Sequence, residues 1–246
     1  MHRKIIALVA FALMLPVFAT AGMPAEEEFN WSGTVAAGDS VEIQNLNGAI
    51  AAEYTSGNEV EIMAVKEGSS GDIPEVEIEV VEHANGITVC AIYPRGDGRG
   101  NVCAAGDDSR LNNEDNNKTR VTFRVRVPAG VEFDGNTMNG RLTADDMQSN
   151  LRLMTMSGAV DVEMGAADWT GSLSIESMNG SIDVVLPAGA SADVDAETMN
   201  GRVSSDWDDV EVHGHRRNHA NGTIGTGGRD LTLEAMNRSI TLRRSR

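Results

Sequence analysis

Thr137-Met138-Asn139-Gly140-Arg141-Leu142 decides the fold, because the phrase keeps returning. It comes back as Thr155-Met156-Ser157-Gly158-Ala159-Val160, as Ser177-Met178-Asn179-Gly180-Ser181-Ile182 and as Thr198-Met199-Asn200-Gly201-Arg202-Val203. A worn copy, Ala235-Met236-Asn237-Arg238-Ser239-Ile240, closes the chain, and a degenerate one, His219-Ala220-Asn221-Gly222-Thr223-Ile224, fills the long gap before it. From Gly140 to Arg238 the spacings are 18, 22, 21, 21 and 16 residues. Two further copies precede them, Asn45-Leu46-Asn47-Gly48-Ala49-Ile50 and His83-Ala84-Asn85-Gly86-Ile87-Thr88. A fixed period of this length marks a stacked repeat architecture.

Apolar residues alternate on both sides of each copy. Leu173 and Ile175 precede one, and Ile182, Val184 and Leu186 follow it. A period of two predicts half-buried β-strands. Asn and Gly between them predict a bend, since both tolerate positive φ. An Asn-Gly bend suits two folds. One is a two-residue hairpin, which leads to antiparallel pairs and a sandwich. The other is the corner of a coil whose successive turns stack as parallel strands. The even spacing favours the second. The expected fold is therefore all-β, a parallel β-helix or solenoid of about 20-residue rungs, with room for a small antiparallel N-terminal β cap. The structural corners are Asn139, Gly140, Gly158, Asn179, Gly180, Asn200, Gly201, Asn221, Gly222 and Asn237. Strict alternation carried from Leu173 and Ile175 through Ser177 places Asn179 inward, in a ladder of side-chain amides that Ser157 interrupts.

These phrases resemble a family of exported bacterial proteins with β-strand repeats known as adhesins, domain of unknown function 4097. The opening run Gly38-Asp39-Ser40-Val41-Glu42-Ile43 and the closing run Gly225-Thr226-Gly227-Gly228 to Leu242 carry the likeness across nearly the whole chain after residue 21. The resemblance implies a parallel β-helix-like fold and brings no catalytic set. Its adhesin label is itself a fold-level inference. The chain departs from the pattern at Arg238, where glycine is usual, and in a loop closed by two cysteines.

The ends and the composition set the compartment. Arg3 and Lys4, the apolar run Ile5 to Phe18 and the small residues Ala19-Thr20-Ala21 form a three-part secretory signal over 1–21. The run has 14 residues, short of the roughly 20 that span a bilayer. No cysteine follows for a lipid anchor, and no second spanning run appears. The expected product is exported, periplasmic or extracellular, and without a transmembrane segment. It divides into an N-terminal β-strand region over 22–127 and a repeat region over 128–246. The net charge of −17 excludes a nucleic-acid partner, whose phosphates demand a basic face. Cys90 and Cys103 are the two cysteines, and an isolated pair in an exported protein predicts a disulfide.

Candidate chemistry is thin, and each candidate has a plain structural alternative. Met138, Met156, Met178, Met199 and Met236 form a column if the rungs stack. Alternation turns them outward as a soft apolar binding stripe, unless the corner breaks the alternation and tucks them into the core. His213, His215 and His219, with Asp206, Asp208 and Asp209 upstream, are donor types that suit zinc or copper, although a solvated loop explains them as well. Asp145-Asp146 and the three downstream aspartates lack a spacing that selects a catalytic pair. Arg95-Gly96-Asp97 is an integrin-type tripeptide whose composition equally serves a turn. No cofactor motif is present. The reading is a non-enzymatic binding or scaffold protein of the envelope or surface. The alternatives are a polysaccharide-active enzyme on the same fold and a scaffold that self-assembles through open strand edges.

Overall fold

The structure is a computed structural model that describes residues 25–95, 101–106, 109–113 and 117–245. The signal segment 1–21, and Gly96 and Asp97 of the tripeptide, lie outside the described residues. Nineteen strands are described and no α-helix. The first seven are β1 (Ala25–Gly33), β2 (Ser40–Asn47), β3 (Ile50–Thr55), β4 (Val60–Gly68), β5 (Glu77–His83), β6 (Gly86–Ile92) and β7 (Arg120–Pro128). The repeats supply β8 (Glu132–Asn139), β9 (Leu142–Met147), β10 (Leu151–Thr155), β11 (Val160–Met164), β12 (Leu173–Ser177), β13 (Ile182–Leu186), β14 (Ala192–Thr198) and β15 (Val203–Ser205). The chain ends with β16 (Val210–His213), β17 (His219–Ile224), β18 (Asp230–Ala235) and β19 (Ile240–Arg244). No helix among the described residues is long and apolar enough to cross a membrane.

The strands form two sheets. One runs β1-β4-β7-β3-β9-β11-β13-β19-β15, the other β16-β17-β14-β18-β12-β10-β8-β2-β6-β5. Six of the eight repeat phrases are corners that carry the chain from the second sheet to the first, as from β12 to β13. Successive coils then stack in parallel register, Leu151 beside Leu173 and Val160 beside Ile182. The inward residues merge into one core. Leu173, Ile175, Ile182, Val184 and Leu186 are all fully buried. Each such side chain contributes about 1.5–3 kcal/mol by removal from water. Strands from 22–127 and from 128–246 share both sheets.

The fold is all-β and solenoid-like, but three features depart from the expected stack. The sheets are mixed. Parallel ladders fill their centres, while β1-β4-β7, β5-β6 and β14-β17-β16 pair antiparallel at the margins. The coils are also out of sequence order, because β18 inserts between β12 and β14. The third departure is the fate of two Asn-Gly phrases. Asn85-Gly86 sits in the hairpin between β5 and β6, and Asn221-Gly222 is not a corner at all. It lies inside β17, flanked by antiparallel partners on both sides. After β15 the chain folds back as β16 and β17, through a turn with positive φ at Gly214, Arg216 and Arg217, and begins no new coil there.

The asparagine ladder exists, but on the outside. Asn139, Asn179, Asn200 and Asn237 are exposed. Asn139 donates to Asn47 Oδ1 (3.1 Å), Asn200 to Asn237 Oδ1 (2.9 Å) and Asn237 to Asn179 Oδ1 (2.9 Å). At the rung of Ser157, Asn179 turns instead to the Met156 carbonyl (3.0 Å). Alternation ends at the hydroxyl residue, because the chain begins to turn there. The buried column is made of Thr137, Thr155, Ser177 and Thr198. Their hydroxyls donate to the carbonyls of Gly48, Gly140, Gly158 and Arg238 at 2.8–3.1 Å. Thr155→Val keeps the shape and strands a corner carbonyl. It is expected to cost about 1–2 kcal/mol, read as a lower urea midpoint; an unchanged midpoint refutes the role of the hydroxyl.

Candidate functional site

The turn that exposes the asparagines exposes the methionines too. On each coil the residue after the last buried one, a hydroxyl residue on four strands and Ala235 on β18, faces out, so Met138, Met156, Met178, Met236 and Met199 follow one another across β8, β10, β12, β18 and β14. Backbone bonds hold the row in line. Met156 N donates to the Thr137 carbonyl, Met178 N to Thr155, Met236 N to Ser177 and Met199 N to Ala235, at 3.0–3.3 Å. The five side chains are 37–68% exposed. Neighbouring strands lie about 4.8 Å apart, so the row is a continuous apolar strip. It lines a groove of about 510 Å³. Isolated exposed apolar residues need no explanation, but a contiguous strip does.

A second outward row runs beside it, two residues earlier on each strand. In sheet order it reads Asn136, Met154, Glu176, Glu234 and Glu197. All five contribute to the same groove. Glu176 stands directly across from Glu234, and Glu234 from Glu197. The groove is thus apolar at its β8-β10 end and acidic along β12-β18-β14. Sequence reasoning missed this row, although the fixed offset before Met178, Met199 and Met236 carries it.

At one end the row is already covered. Leu46 aligns with Met138 in the ladder but is only 4% exposed. Asn112, Asn113, Asn117 and Lys118 share a cleft with Leu46 and Met138. The sixth position of the row is therefore buried, beside a cleft bordered by the chain's own segment, and five positions are open.

The other sequence candidates do not converge. His213 and His219 meet across β16 and β17 with ring centroids 4.6 Å apart. His213 bonds to Asn221, and His219 approaches Asp195 at 3.6 Å. His215 is exposed in the turn beyond them. No three His, Cys, Asp or Glu side chains among the described residues are grouped to hold a metal. Asp145, Asp146, Asp206, Asp208 and Asp209 are all exposed and none lines the groove. Cys90 and Cys103 form a disulfide-capable pair with Cα atoms 5.8 Å apart. The last strand, β19, lies inside the first sheet between β13 and β15, where Arg243 bonds to Asp183 and Arg244 stands over the Trp207 ring at 5.0 Å.

Comparison with known proteins places this geometry. A solved structure of a candidate cell adhesion protein from Clostridium sporogenes is similar over 91% of this chain and 100% of its own, at 16% identity and a TM-score of 0.60, which shows a shared fold. A candidate adhesin from Bacteroides fragilis aligns over 91% of this chain and 100% of its own, at 12% identity and a TM-score of 0.25, too low to carry an argument. No curated protein matches the sequence. The family model described as Toastrack DUF4097 matches residues 34–243. With nearly the whole stack inside that match, the chain belongs to the Toastrack DUF4097 family.

Proposed function

We propose that this is a non-enzymatic binding protein of the cell envelope or cell surface, and that it engages its partner through the methionine groove. One observation carries the reading: five methionines at one register position face solvent on five adjacent strands. Methionine is flexible and polarizable, which suits a surface that adapts to its partner. Export rests on the segment 1–21, and the name of the Clostridium sporogenes neighbour agrees with a surface role.

The test is a photo-crosslinking residue at position 178 in intact cells, with position 241 on the opposite sheet as control. A discrete adduct is expected from 178 and not from 241, and Met156→Ser with Met236→Ser should abolish it. The serines should change stability by about 0.5 kcal/mol or less each, as at other exposed sites. A large drop in melting temperature with adducts intact would make the row a structural element and end the proposal.

A further inference from the structure

The acidic row beside the methionines stands out against other parts of the same sheets. Several cross-strand carboxylates elsewhere in the fold have a cation. Arg126 reaches Glu53 at 2.8 Å and Glu61 at 3.3 Å, Arg141 reaches Asp161 at 3.0 Å, and Arg243 bonds to Asp183. Glu176, Glu234 and Glu197 have no ion pair or hydrogen bond among the described residues. Like charges directly opposite each other on neighbouring strands repel. Three in a row, unpaired and bordering an open apolar strip, form a surface that a cation from outside would complete.

The covered end of the strip points to the kind of molecule. There the chain's own segment, with Lys118 in it, borders the same cleft as Leu46 and Met138. The open stretch spans five strands, about 19 Å at the usual strand spacing, the length of about six extended residues.

We infer that the groove binds an extended, basic polypeptide segment of a partner protein, lying across the strands. Its apolar side chains meet Met138, Met154 and Met156, and its Lys or Arg side chains meet Glu176, Glu234 and Glu197. This rests on the groove being the binding site and adds the chemistry of the occupant. Methionine fills the open positions where leucine fills the covered one, which fits a partner whose apolar side chains vary while its charge does not.

Three synthetic ten-residue peptides test it by calorimetric titration against the full chain. One has an apolar half of leucines and a basic half of lysines, one has glutamate in place of lysine, and one has serine in place of leucine. Only the first should bind, with affinity falling as salt rises. Combining Glu176→Gln, Glu197→Gln and Glu234→Gln should weaken it by about tenfold or more. Combining Met156→Ser, Met178→Ser and Met236→Ser should abolish it, and both variants should keep the melting temperature of the parent. Equal binding of the glutamate peptide, or affinity untouched by the glutamine changes, overturns the charge assignment and leaves the groove itself standing. No binding of any peptide overturns the inference, while the cellular crosslink separately decides the groove. Binding only to phosphatidylcholine vesicles overturns it in favour of a lipid surface.

Discussion

Gly180→Ala is expected to remove about 3 kcal/mol or more of stability, far beyond an ordinary surface alanine. A Cβ on Gly180 would stand 1.5 Å from the Gly158 carbonyl oxygen and 2.2 Å from its carbon. Both atoms are backbone, and neither rung has room to retreat. Met178 N and Asn179 N donate to the carbonyls of Thr155 and Met156 at 3.1 Å, and Gly180 N donates to Ser177 Oγ at 2.9 Å. The same contact recurs at 1.9 Å for Gly158 over Gly140 and for Gly140 over Gly48. None of these three corner glycines has positive φ. Their requirement is close approach of one coil to the next. Gly57→Ala is the control, since there a Cβ meets only Thr55 Oγ1 at 3.4 Å, and a change within about 0.5 kcal/mol is expected. The readout is the guanidinium midpoint at unchanged slope. Equal midpoints for the two variants would mean that the coils are not stacked this tightly.

That contact explains what the sequence does and does not disclose. The strands are legible because alternation at Leu173, Ile175, Ile182 and Val184 answers directly to a buried face and an open one. The corners are legible because Gly recurs, although its reason lies in the neighbouring coil and not in its own dihedral angles. Alternation misleads at Asn179, since the chain leaves the strand after Ser177 and turns Met178 and Asn179 both outward. The dipeptide alone also misleads. Asn139-Gly140 is a coil corner, Asn85-Gly86 belongs to a hairpin, and Asn221-Gly222 runs straight through β17. The choice depends on which strand is available as a partner, and that is a property of distant residues. The insertion of β18 between β12 and β14 is hidden for the same reason. Every coil offers nearly the same apolar edge, so adjacency is decided by the path of the whole chain. The glutamate row was within reach, because its offset from the methionines is constant on three strands.

Cutting the link between Cys90 and Cys103 is expected to cost about 3 kcal/mol, the chain-entropy value for a loop of this length. For a domain of this size the loss is a fall of about 10 °C in melting temperature. The link matters because of where its ends lie. Cys90 is buried in β6, which joins β2 to β5 near one end of the second sheet. Cys103 belongs to a segment outside the two sheets, tied by Asn101 to the Tyr93 and Asn112 carbonyls at 2.7 and 2.8 Å, by a bridge between Val102 and Arg110, and by Gly106 N to the buried Glu42 carboxylate at 2.7 Å. These bonds alone leave the intervening chain free to explore many arrangements when unfolded, and the covalent link removes that freedom in advance. Melting with and without a reductant, and with Cys90→Ala combined with Cys103→Ala, measures the effect. The reduced parent and the double variant should melt together, both below the oxidised parent. Protein recovered directly from cells under denaturing, thiol-blocking conditions should show no free thiol. Two free thiols in that sample would remove the disulfide, and with it one physical reason for placing the protein in an oxidising compartment.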